Sequence, residues 1–340
     1  MGVACITGAA DITGAVRITG AADITGAVRI TGAVHIWVWP IRKGEVCCAV
    51  YYFLSLLTGI IISVMIAFNG GLAELYGVYS ATVLIHLAGL LLITLIVIIK
   101  RENPFSGRQA WFLYIGGVIG VFTTLSNNFA FSRISVSAML ALMLLGQSVA
   151  GIFVDQYGLL GMPRHPFAKR KLIGLTLVIC GIASMTSDFE VLAILFSFIA
   201  GVCIVVTRTI NAKLSVLSTV RVGAFYNYFT GFITSLIVLL LLGSSEITLS
   251  GFTFSPDWYI YFGGILGVCV VLLSNITVVK VSAFYLTLLI FVGQVFSGVL
   301  VDFVISREFS ARIMIGGVFV TAGLCLDLIL DKREMQKAGS

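Results

Sequence analysis

Residues 111–121 read WFLYIGGVIGV, and residues 258–268 read WYIYFGGILGV. Two stretches this alike, 147 positions apart, mark the chain as a duplication, and the register extends in both directions. At the same shift Asn128 meets Asn275, Gly146-Gln147 meets Gly293-Gln294, Gly151 meets Gly298, and Asp155 meets Asp302. At a shift of 142, Gly59 meets Gly201, Asn69 meets Asn211, His86 meets Tyr228 and Gly89 meets Gly231. The shift changes by five residues in loops, so each half holds the same succession of elements.

Those elements are apolar. The chain is 59% hydrophobic and 11% charged, with a mean hydropathy of +1.10. Soluble domains carry about 25% charged residues, and a water-soluble core could not absorb so much apolar surface. A bilayer core needs about 20 apolar residues per helix. Ten runs approach that length: 49–68, 77–99, 111–128, 134–154, 172–187, 191–207, 222–243, 258–279, 281–301 and 313–330. Helices are required, because lipid offers the backbone no hydrogen-bond partners. The fold class is therefore all-α, a polytopic membrane protein with ten transmembrane helices. Five spans per half is an odd number, so the second half crosses in the opposite sense. The two halves are inverted repeats, expected at 46–188 and 189–331, with a cytoplasmic tail at 332–340.

Lys and Arg in the gaps set orientation. With a cytoplasmic amino terminus, sixteen of them face the cytoplasm, Arg208 and Lys213 included, against Arg133, Arg307 and Arg312 outside. Both termini are expected in the cytoplasm, and the protein in the cytoplasmic (inner) membrane. Residues 6–17, ITGAADITGAVR, recur without change at 18–29. This Gly-rich string is too polar to span and lacks a signal-peptide layout. Residues 1–45 are read as a disordered low-complexity extension.

Inverted repeats of odd helix number are typical of secondary transporters, whose sites lie at mid-depth between the repeats. Gln147, Gly151 and Asp155 share one helix face, and Gln294, Gly298 and Asp302 repeat it. Eight residues of helix span about 12 Å, so an Asp at the boundary puts its Gln near mid-depth. Gln147 and Gln294 are candidates for substrate contact, with the buried amides Asn128 and Asn275. His86 and its mate Tyr228 join them, as an ionisable group within a span is a functional candidate. Asn69 and Asn211 are expected at helix ends on opposite faces, as gates, and Asp155 and Asp302 at gates or helix ends. The bland reading of each is helix–helix packing.

The doubled pattern GGxxG…N…S…GQ…G…D, with Asn-Gly-Gly-Leu at residues 69–72, resembles the YdcZ-like family within the drug/metabolite transporter superfamily. The resemblance covers roughly residues 50–330. It implies a fused pair of five-helix units that moves a small metabolite or drug. The second copy departs where Lys213 replaces Gly71.

Other classes find little support. No phosphate-binding GxxxxGK[ST] loop is present, the basic residues form no nucleic-acid patch, and no Cys or His pair has metal-ligand spacing. No cofactor, metal or nucleic-acid partner is expected, and no catalytic residue. The expected partners are the bilayer and a small-molecule substrate. The leading reading is a secondary transporter exporting a small metabolite or drug-like solute by alternating access. A small-cation or multidrug exporter, a non-transporting membrane scaffold and a membrane enzyme are the alternatives. The apolar runs hold no carboxylate at mid-depth, which favours a neutral, weakly polar or zwitterionic substrate over a cation.

Overall fold

The structure is a computed structural model that describes residues 43–107, 109–157, 176–177, 179–181, 183, 190–246, 254–277, 283–306 and 311–338. Nine helices lie among them: α1 (Lys43–Tyr76), α2 (Val78–Ile99), α3 (Gly116–Phe131), α4 (Val136–Tyr157), α5 (Val191–Leu217), α6 (Val220–Leu242), α7 (Gly263–Thr277), α8 (Ala283–Ser306) and α9 (Ala311–Ala338). A 3-10 turn precedes α3 at Trp111–Tyr114, and another precedes α7 at Trp258–Phe262. The described residues contain no strand. Six segments are long and apolar enough to cross a membrane, namely Val50–Tyr76, Val78–Ile99, Trp111–Phe131, Val191–Leu217, Val220–Leu242 and Trp258–Thr277. Shorter apolar stretches lie within α4, α8 and α9. The chain is an all-α polytopic membrane protein. The expected fifth span, 172–187, and the extension at 1–45 fall largely outside the described residues.

Polarity is arranged for lipid. Leu91, Leu95, Ile98, Leu240, Leu241 and Leu242 are exposed, while Ser63, Thr82, His86, Asn128, Asn211 and Gln294 are buried. A water-soluble protein has the reverse pattern.

The halves are interleaved. α1 packs on α8, and its mate α5 packs on α4; α1 also packs on α7 and α5 on α3, while α2 pairs with α6. Glycine sets the first pair of crossings. A Cβ on Gly59 would overlap the carbonyl oxygen of Ile290, and one on Gly293 would lie 3.1 Å from the Gly59 Cα. The mates repeat this: a Cβ on Gly201 would overlap the Met143 carbonyl, and one on Gly146 would lie 3.2 Å from the Gly201 Cα. Backbone-to-backbone approach of this kind needs small residues.

α2 and α6 run antiparallel and are clasped at both ends. Glu246, just after α6, accepts the backbone N–H groups of Tyr79 (3.0 Å) and Ser80 (2.9 Å) at the start of α2. Gly77 makes room for that carboxylate, and its φ of 88° is one that L side chains rarely adopt. Glu102, just after α2, accepts from Thr219 Oγ1 (2.7 Å) and Arg221 Nε (2.7 Å) at the start of α6. The Arg221 guanidinium holds the Glu102 carboxyl below its ordinary range. Acidic groups at helix N-termini are favoured by the unpaired N–H groups there.

Candidate functional site

α1 and α5 are longer than their apolar runs suggest. α1 continues through Asn69-Gly70-Gly71 to Tyr76, and α5 continues through Arg208 and Lys213 to Leu217. Both can do so because these polar residues need not face lipid. Asn69, Arg208 and Asn211 line a cavity where the two halves meet, and Lys213, the sixth residue of the α5 extension, is exposed.

The cavity has a volume of about 180 Å³ and draws on eight helices, with α4 contributing Met143. α1 gives Met65, Ile66 and Asn69, and α5 gives their mates Thr207, Arg208 and Asn211. α3 gives Gly120, Thr123, Thr124, Asn127 and Asn128, and α7 gives Gly267, Val270, Val271, Ser274 and Asn275. α2 gives Ile85 and His86, α6 gives Asn227 and Tyr228, and α8 gives Gln294. Equivalent faces of equivalent helices therefore converge on one space.

Local bonds fix several of these groups. Asn128 donates its Nδ2–H to Thr82 Oγ1 (3.2 Å), and Asn211 donates to Asn227 Oδ1 (2.8 Å). His86 Nδ1 lies 2.8 Å from the Thr82 carbonyl, which can only accept. His86 and Tyr228, mates in the duplication, face each other with ring centroids 6.0 Å apart. Other polar atoms are left free: Asn69 Oδ1, Asn127 Oδ1, Asn128 Oδ1, Asn275 Nδ2 and Gln294 Oε1 are buried with no hydrogen-bond partner. Buried polar groups are normally paired, so five such atoms around one cavity point to a polar occupant.

Of the candidates read from sequence, Asn69, His86, Asn128, Asn211, Tyr228, Asn275 and Gln294 line the cavity. Three readings change. Asn69 and Asn211 do not sit at opposite faces, since they lie seven and six residues before their helix ends and share one cavity. Gln147 is not among the lining residues, although its mate Gln294 is. Arg208 is not a gap residue. Asp302 is a helix-end group: it accepts the N–H groups of Val136 (2.7 Å) and Ser137 (2.9 Å) and the Ser137 hydroxyl, tying α8 to the start of α4. The side chain of Asp155 lies outside the described residues.

The sequence reading missed Arg208, Asn127, Asn227 and Thr207. Three of them carry a signal in the 142-residue register, where Thr207, Arg208 and Asn227 oppose Met65, Ile66 and Ile85. A polar group opposite an apolar mate on a shared face marks where the duplicated halves have diverged. A larger crevice of about 1140 Å³ lies between α1, α8 and the α3–α4 turn. Phe68, Leu75, Phe131 and Leu300 line much of it, and none of the five unpartnered atoms that ring the central cavity belongs to it.

The chain matches the family model described as "Putative inner membrane exporter, YdcZ", over residues 50–184 and again over residues 192–326. A solved structure described only as "Crystal structure of protein" has the same fold, with a TM-score of 0.57 at 14% identity over 84% of this chain and 98% of that one. No curated protein matches the chain.

Proposed function

The chain belongs to the YdcZ family of inner membrane exporters, and from that premise we propose that it carries a small polar solute across the membrane by alternating access, with the cavity between its halves as the binding site. The observation that supports this most is the lining itself: seven helices of both repeats bring polar residues to one space, and five of those residues hold a buried polar atom with no hydrogen-bond partner. In inverted-repeat transporters the site lies at the repeat interface and one half rocks against the other. Here the crossings Gly59–Gly293 and Gly201–Gly146 are equivalent pivots. The clasps at Glu102 and Glu246 close opposite ends of the α2–α6 pair. Opening one set while the other holds exposes the cavity to one side, and the repeat symmetry supplies the mirror state.

The volume supports a small metabolite over a drug-sized solute, since drug-sized ligands occupy about 300–1,000 Å³. The direction is export, by family. Arg208 leaves the orientation count, and a bias of fifteen Lys and Arg against three still supports cytoplasmic termini. A scaffold would not need unpartnered polar atoms around a cavity.

The test is two-sided access. In a cysteine-free background, Thr124→Cys and its mate Val271→Cys each put a thiol on the lining. An impermeant maleimide should reach both from either face of oriented vesicles as the protein cycles. Labelling of each thiol from one face only, under every solute condition, refutes alternating access.

A further inference from the structure

The cavity carries one formal charge, and it is positive. Arg208 lines it from α5, eighteenth of the 27 residues of that helix. Among the described residues no Asp or Glu lines the cavity, and the Arg208 guanidinium has neither an ion pair nor a hydrogen bond. An unpaired cation inside a membrane protein is costly and is characteristically found on a substrate or ion path. The duplication sharpens the point. The mate of Arg208 is Ile66, at the equivalent place on α1 and lining the same cavity. The fold thus accepts an apolar residue at this position, and the charge is not a packing requirement.

A second observation points the same way. Asn275 is 3% exposed and its Nδ2 donor has no partner; Gln294 is 2% exposed and its Oε1 acceptor has none. Both line the cavity that Arg208 lines. The occupant must therefore bring negative charge for the guanidinium and hydroxyl or amide groups for the free amides.

We propose that the substrate is a small hydroxylated monocarboxylate, its carboxylate bound by Arg208 and its hydroxyl groups by Asn69, Asn128, Asn275 and Gln294. The proposal rests on the transport reading and narrows it. The planar guanidinium fork matches a carboxylate in two parallel hydrogen bonds. One cation neutralises one negative charge, whereas a phosphate monoester would leave a second charge unpaired. A space of 180 Å³ holds about a dozen water-sized groups, which limits the solute to a few carbons. This replaces the neutral, weakly polar or zwitterionic substrate favoured by sequence, which rested on the lack of a mid-depth carboxylate and did not count Arg208 as part of the site.

Thermal unfolding of the purified full-length protein in detergent tests the proposal. The added solutes are sodium lactate, glycerate and gluconate, against equal sodium chloride, glycerol 3-phosphate, glycerol and ethanolamine hydrochloride. At least one monocarboxylate should raise the melting temperature above the chloride value, with saturation. Arg208→Gln should weaken that binding by ~30-fold or more, the effect of removing one partner of a buried charge pair. Without solute, Arg208→Gln should melt no lower than wild type, because an uncompensated charge has gone. Wild type alone can refute the proposal. If no monocarboxylate shifts it, or if glycerol, ethanolamine or glycerol 3-phosphate shifts it more, the substrate class is wrong. Equal stabilisation of wild type and Arg208→Gln by a monocarboxylate removes Arg208 from the site. None of these outcomes touches two-sided access, so transport and substrate class fail separately.

Discussion

Replacing Gly59 by Ala tests the interleaved packing of the halves at its tightest point. The new Cβ would overlap the Ile290 carbonyl oxygen and lie 2.9 Å from the Gln294 backbone nitrogen. Both are helix backbone atoms and cannot swing aside, so α1 and α8 must part. Overpacking of this kind costs about 1–3 kcal/mol. It is partly offset by the helix propensity of Ala, worth up to about 1 kcal/mol over Gly. Gly151→Ala supplies the reference, because nothing lies within 4 Å of a Cβ there. The propensity gain is common to both substitutions, so their difference isolates the overpacking cost at about 1–3 kcal/mol. Gly201→Ala is an internal replicate, since its Cβ would overlap the Met143 carbonyl and lie 2.9 Å from the Met143 Cα. Thermal unfolding in one detergent, with size-exclusion profiles, ranks the four proteins. Gly59→Ala and Gly201→Ala should melt well below Gly151→Ala, which should match or exceed wild type. If Gly151→Ala is as damaging as Gly59→Ala, or Gly59→Ala is neutral, the proposed crossing is wrong.

Gln294→Ala should weaken solute binding without lowering stability, because its amide lines the cavity with its Oε1 unpartnered. Gln147→Ala should leave binding near wild type, and equal loss in both would show that the equivalence of the halves overrides this asymmetry. The Glu102 clasp predicts an acid-labile contact. Its carboxyl is held below its ordinary 4.5 by Arg221, so its contribution is complete above that value and declines as pH falls further. Glu102→Gln should flatten that part of the stability–pH profile, and an unchanged acid slope would remove the clasp from the account. A carboxy-terminal reporter should be active in its cytoplasmic form only, and activity outside would invert the topology.

Much of this architecture can be read from the chain because duplication and lipid both leave strong marks. The 142 and 147 registers pair Gly59 with Gly201 and Gly146 with Gly293, and these four glycines form the two crossings. The same registers pair His86 with Tyr228, whose rings meet at a tilt of 51°. Helix ends are harder. A polar residue at the margin of an apolar run reads as loop, yet Asn69 and Arg208 are helical and turned toward the cavity. Run length measures what faces lipid, not where the helix stops. That error placed Arg208 in a gap and hid a charged group of the site. Gln147 and Gln294 have equal sequence credentials, and only the packing separates them. The clasps were not legible either. Glu102 and Glu246 are 144 positions apart, which fits neither register, and each acts on the other half's helix.

Counterflow in proteoliposomes tests the central claim most directly. Vesicles loaded with unlabelled solute are diluted into the same solute carrying a trace of label, in separate runs with gluconate, glycerate, glycerol and ethanolamine. The account predicts transient accumulation of label above the protein-free baseline for at least one monocarboxylate, reduced in Asn275→Ala and Gln294→Ala vesicles. Accumulation of another solute, with those variants impaired, would keep the transporter and discard its anionic substrate. No counterflow from folded, vesicle-inserted protein with any of the four solutes would contradict the claim that this cavity is a transport site.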